Sequence, residues 1–293
     1  MLNIYEQIDR NRQRSTLVIV CFILFVTGFI WLVGQVLGSD PSLVFVAALF
    51  SLFSACSGYF WGDKIILTLL QAKPANKKQH FDFYTVAENL SIAAQIPKPR
   101  LYVIESKSPN AFATGRDPKH AVICATTGIL EKLDRSELEG VIAHEISHIK
   151  NFDIRLMTIV AILVGTVALV SNWLFRGFGR RGREKEKNIH PLALAFGFLA
   201  LILSPLVAKL IQLSISRQRE YLADASAVKL TRYPQGLIRA LRKIATDPTP
   251  LTNANPATAH LFIVNPLKTV KIASLFSTHP PLEERIKTLE RML

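Results

Sequence analysis

The chain has 293 residues, 49% of them hydrophobic and 19% charged, a balance too apolar for a disordered chain and unusually apolar for a soluble enzyme. Its 35 Lys and Arg against 22 Asp and Glu leave a net charge of +13. The basic residues flank apolar runs rather than an aromatic-studded groove, so they read as membrane topology signals and not as contacts to nucleic acid. Cys21, Cys56 and Cys124 are too few and too widely spaced for a disulfide framework or a thiolate metal site.

In chain order, the apolar run from Leu17 to Leu37 is long enough, at about 1.5 Å per residue, to cross roughly 30 Å of hydrocarbon. It lacks the short apolar centre and small-residue cleavage site of a signal peptide, so it is expected to be retained. A second run, Leu43 to Gly62, follows a turn at Gly38, Ser39, Asp40 and Pro41, which predicts an antiparallel hairpin with both ends on one side. The polar stretch from Asp63 to Arg100 begins a soluble part, with a helix near Phe81 to Gln95 and a break at Pro97 and Pro99. Leu101 to Ile104 and Ala121 to Ala125 are expected to be strands of a small sheet. Asp134 and Glu137 form a capping box, predicting a helix that runs through Leu138, Val141, Ile142 and Ile149.

Leu156 to Phe175 and Leu192 to Leu213 are the third and fourth apolar runs, separated by a basic segment from Arg176 to Lys187. Helices are predicted from Ser214 to about Leu230 and from Gln235 to Ala245. A proline-rich loop-like stretch from Asp247 to Pro281 precedes an amphipathic helix from Leu282 to Met292. These runs predict a mainly α integral membrane protein with four transmembrane helices, divided as 1–63 (first hairpin), 64–155 (soluble), 156–213 (second hairpin) and 214–293 (soluble). Arg10, Arg12 and Arg14 before the first run and Lys64, Lys73, Lys77 and Lys78 after the second place both soluble parts in the cytoplasm by the positive-inside rule; the Arg176 to Lys187 segment opposes that placement.

His144-Glu145-Ile146-Ser147-His148 spells H-E-x-x-H within the capped helix. Residues four apart share a helical face, so two imidazoles can converge on one Zn²⁺ while the glutamate points toward water. A catalytic zinc needs a third protein ligand, for which His190, His260, His279 and the downstream carboxylates are candidates. Glu220 stands out because Asp224 follows one helical turn later, a spacing able to supply a ligand and a carboxylate that orients a ligating histidine. His148 lies eight residues before the third run and Glu220 seven after the fourth, so along continuous helices both would stand about 10 to 12 Å from one membrane face.

With these motifs the chain resembles the membrane zinc metalloproteases of the HtpX type, which are related to the CAAX-prenyl endopeptidases. The resemblance rests on His144-Glu145-x-x-His148, Glu220-x-x-x-Asp224, Asn110-Ala111-Phe112-Ala113 with Thr126-Thr127-Gly128, and His279-Pro280-Pro281-Leu282 leading to Arg285. It implies a zincin-like α+β catalytic domain holding one Zn²⁺ on His144, His148 and Glu220, with Glu145 as general base. It further implies that Asn110, Ala111 and Phe112 form a sheet edge that pairs with an extended peptide, that His279 steadies the oxyanion, and that Arg285 pairs with Asp224. The implied activity is peptide-bond hydrolysis on unfolded or misassembled membrane proteins beside the lipid bilayer of the bacterial inner membrane. The alternatives are a CAAX-type endopeptidase, which the low number of runs disfavours, and a transporter or non-catalytic scaffold, disfavoured by the single intramembrane charge at Lys209 and by Glu145, for which a structural site has no use.

Overall fold

A computed structural model of the chain describes residues 4–36, 42–181, 217–251, 257–266 and 280–292. The elements in order are α1 (Ile4–Val36), α2 (Ser42–Leu69), β1 (Lys73–Pro74), α3 (Phe81–Ala94), β2 (Arg100–Ile104), β3 (Ala111–Thr114), β4 (Val122–Thr126), α4 (Thr127–Lys132), α5 (Arg135–Lys150), α6 (Asp153–Arg181), α7 (Arg217–Thr231), α8 (Pro234–Thr246) and α9 (Leu282–Glu290). The chain is mostly helical around one small mixed sheet of order β1-β2-β4-β3.

The sheet is buried on both faces, which is why its strands read as apolar runs rather than as an alternation of apolar and polar residues. Leu101, Val103, Ala111, Ala113, Ile123 and Ala125 face α3, α5 and α8. Ile104, Phe112, Val122 and Cys124 face the other way, onto Ile66, Leu67 and Leu70 at the end of α2 and Met157 and Ala161 of α6. β2 runs parallel to β4, and β3 antiparallel to it in the register Ala111 with Ala125 and Phe112 with Cys124. β1, absent from the strands expected above, and β3, which includes Ala111 and Phe112 of the sheet edge implied by the resemblance, are the two margins of the sheet; both are too short to carry a period-two signature.

α1 packs on α2, and both pack on α6. The outer surface of this group is apolar: Leu24, Phe45, Leu49 and Phe53 are each 64–77% exposed. Within α2, Val44–Leu69 is long and apolar enough to cross a bilayer, with a mean hydropathy of 1.7. Gln13–Gly28 of α1 is a shorter apolar stretch, α5 and the first part of α6 reach that length only together across an 84° bend, and the fourth run lies outside the described residues.

α5 is the helix on which the site is built. At its start the Asp134 side chain accepts from the Glu137 N–H, and the Glu137 side chain accepts from the Asp134 N–H, both at 2.9 Å. Its middle crosses α8 closely because both helices present glycine. A Cβ on Gly140 would lie 2.6 Å from the Leu237 nitrogen, and one on Gly236 2.4 Å from the Ser136 carbonyl. At its end the chain breaks. Phe152 adopts a left-handed φ of 59°, and α6 leaves at 84° to α5. This corrects the expectation of continuous helices beneath the ligands, because His148 does not continue into the third apolar run on one straight helix. The geometry that gathers the ligands is instead the packing of α7 against α5.

Candidate metal centre

His144, Glu145 and His148 are all buried on α5, and Glu220 and Asp224 are buried one turn apart on α7. The two imidazoles meet edge to face, with their Nε2 atoms 3.2 Å apart. Glu220 completes the group. Its Oε2 lies 3.8 Å from His144 Nε2 and its Oε1 3.6 Å from His148 Nε2. One ligand atom from each of the three falls within 4.8 Å of the others.

The opposite edges of both rings are held by carboxylates. His144 Nδ1 lies 2.9 Å from Asp224 Oδ1 and His148 Nδ1 lies 3.0 Å from Asp153 Oδ2. An ionised carboxylate only accepts, so each Nδ1 carries the donated proton and, in the neutral ring, each Nε2 presents its lone pair to the shared centre. Two lone pairs and a carboxylate then face one another in a buried space, an arrangement of acceptors that a cation relieves and that matches the nitrogen and oxygen donors of a zinc site.

Asp224 is itself gripped by Arg285 of α9, whose Nε donates to Oδ2 at 2.8 Å and whose Nη2 donates to Oδ1 at 2.6 Å. Arg285 is fully buried, and its Nη1 lies 3.7 Å from Glu220 Oε2. Burial opposes the charge on Asp224, but the Arg285 guanidinium and the His144 hydrogen bond outweigh it and hold the carboxyl at about 2. Burial and the nearby Arg285 charge push His144 below the ordinary histidine value. Burial acts in the same sense on His148, yet the Asp153 hydrogen bond and the Glu220 charge raise it to about 9. Surroundings that draw a proton to His148 also draw a metal cation, which competes for the same nitrogen. Burial lifts Glu145 to about 7, against the pull of His148 and of the Ala113 N–H, which donates to its carboxylate.

These features place two histidines and two glutamates in one buried cluster. Residues 77–293 match the sequence profile of peptidase family M48. The chain belongs to that family, and its reaction is that of a protease. It is 44% identical over 292 residues to a protease HtpX homolog from Dictyoglomus turgidum, covering 98% of this chain and 94% of that one. It is 42% identical over 275 residues to the protease HtpX homolog of Thermococcus sibiricus, covering 92% of each. Among solved structures it is similar to Ste24p of S. mikatae with a TM-score of 0.49 and 20% identity, covering 97% of this chain and 66% of that one.

At the edge expected to pair with a peptide, Asn110, Ala111 and Phe112 meet residues 262–264 of the chain itself. The Ala111 carbonyl accepts from the Ile263 N–H at 3.0 Å. The Asn110 side chain donates to the Val264 carbonyl at 2.8 Å. Phe112 is buried on the far face of the sheet against Phe262. Residues 262–264 therefore lie along the β3 margin where a peptide was expected, and the margin reaches the M48 centre two residues further on, at Ala113. His279 lies outside the described residues. Asp153 is a contact that motif reading passed over, and Ala113, quoted within the Asn110–Ala113 motif, was given no role of its own. The Asn151-Phe152-Asp153 sequence did carry a signal, since a helix-capping Asn and a helix-starting Asp frame a break between the motif and the apolar run.

Proposed function

We propose that the chain is a membrane-embedded zinc metalloendopeptidase with His144, His148 and Glu220 as the metal ligands and Glu145 as general base. The observation that carries this reading is the convergence of three buried acceptors, two of them imidazole nitrogens whose opposite edges donate to carboxylates. Zinc bound there supplies a Lewis acid that polarises a peptide carbonyl and acidifies water. Glu145, lifted to about 7, is matched to take a proton at its carboxylate and return it to the leaving amine at neutral pH. Asp224 and Asp153 fix the tautomer and aim of the two histidines, and Arg285 keeps Asp224 ionised. His279 is proposed to stabilise the oxyanion.

The outward-facing apolar surface of α1 and α2 supports residence in a bilayer. We assign residues 1–63 and 156–213 to four spans and residues 64–155 and 214–293 to a peptidase part on the cytoplasmic side of a bacterial inner membrane. Unfolded or misassembled membrane proteins are the proposed substrates. The test uses the full chain purified in detergent and an unfolded membrane protein as substrate, with chelation by EDTA and rescue by Zn²⁺. Glu145→Ala is expected to retain one zinc per chain and to lose about 10² to 10⁴ in cleavage rate. His148→Ala is expected to lose the zinc itself. A Glu145→Ala protein that cleaves at the parental rate would overturn the general-base assignment.

A further inference from the structure

The carboxylate beneath His148 is held from outside the peptidase family's matched region. Asn11 lies on α1, ahead of the first apolar run and only 3% exposed. Its Nδ2 donates to Asp153 Oδ1 at 2.8 Å and to the Asn151 carbonyl at 2.9 Å. A primary amide has two N–H donors, so both are used. The two acceptors stand on opposite sides of the α5–α6 break: Asn151 ends α5 and Asp153 begins α6. That break turns Asp153 back so that its other oxygen, Oδ2, meets His148 Nδ1. Asn11 is itself anchored along its helix, with Ser15 Oγ donating to its carbonyl at 2.8 Å. Arg219 of α7, one residue before Glu220, reaches the same Asp153 Oδ1 at 3.3 Å.

We infer that Asn11 is a positioning residue for the metal centre: by pinning both sides of the α5–α6 break, its amide holds Asp153 against His148 and so couples the first membrane helix to metal affinity. The inference rests on the zinc-site reading above. A carboxylate left to rotate at the break no longer fixes the His148 tautomer, and loss of such an orienting partner weakens metal binding by about 10- to 100-fold in other sites. Asn11 acts one contact further out, and the lower end of that range applies.

The experiment measures Zn²⁺ affinity by chelator competition, and the visible spectrum with Co²⁺, on full-length protein in detergent. Asn11→Leu keeps the side-chain size and removes both donors. It is expected to weaken Zn²⁺ about tenfold and to alter the Co²⁺ band. In an Asp153→Ala background, where no carboxylate remains to be aimed, the same substitution is expected to change affinity by less than about twofold, a non-additivity that a purely structural contribution would not produce. A monodisperse Asn11→Leu protein with parental affinity, or a tenfold loss that persists in the Asp153→Ala background, overturns the inference. If Asn11→Leu is not monodisperse, Asn11→Ser, too short to span both acceptors, is put through the same two measurements with the same readings. A parental chain that binds no zinc stoichiometrically would overturn the metal site itself, whereas stoichiometric binding that is indifferent to Asn11 overturns only its positioning role.

Discussion

The two histidines of the centre face each other on one helix, yet they are supported in opposite ways. Under His144 the support is a closed charge pair. Asp224 is bound through two hydrogen bonds to Arg285, and all three groups are buried within α5, α7 and α9. Under His148 the support is assembled at a helix break, from Asp153 at the head of α6, a neutral amide on α1 and the flank of Arg219. The electrostatic consequence differs in sign. Arg285 helps push His144 below its ordinary value, while Asp153 and Glu220 raise His148 to about 9. Identical side-chain chemistry is thus held by a locked ion pair on one side and by a joint between α5, α6 and α1 on the other.

The largest expected effect that would sharpen this contrast comes from Arg285→Met. It strands the Asp224 charge in a buried setting and should cost about 3–5 kcal/mol of stability, read from denaturant or thermal unfolding in detergent. Arg219→Met, which leaves Asp153 its Asn11 partner, should cost clearly less in the same measurement. Equal losses would break the contrast. Next in size, Asp224→Asn and Asp153→Asn should each weaken Zn²⁺ binding by about 10- to 100-fold in chelator competition. Only Asp224→Asn should lower stability along with affinity, because only it undoes the charge pair with Arg285. The smallest effect serves as a reference. Asp134→Ala removes the capping box at the far end of α5 and should cost about 1 kcal/mol of stability without moving zinc affinity. A loss of affinity there would mean that α5 frays as far as the ligands, and that neither carboxylate alone sets the histidine geometry.

The local parts of this site were readable because they repeat with the period of a helix. His144 and His148 share a face at four-residue spacing, as do Glu220 and Asp224, and the Asp134 cap announces where the first of these helices begins. The buried strands Arg100–Ile104 and Val122–Thr126 were visible as short apolar runs, although a sheet covered on both faces leaves no alternation to show which side meets the helix. What misled was the assumption of continuity. A single residue with left-handed backbone at Phe152 turns the chain through 84°, so His148 does not stand on a straight continuation of the third apolar run. Nor could the sequence show which segment reaches Asn110 and Ala111, since residues 263–264 come from more than 150 positions away.

From sequence alone came the side chains of the candidate metal centre and the apolar runs beside them, because each motif is encoded by spacing along its own stretch of chain. Only the tertiary structure decided what stands behind His148. The pairing of Arg285 with Asp224 was implied by the family resemblance and is present, whereas Asp153 beneath His148 and Asn11 beneath Asp153 were not read, the latter two joined across 142 residues, where no periodicity links positions. Such contacts follow from which helices pack together, a choice made by the burial of whole faces rather than by any local pattern.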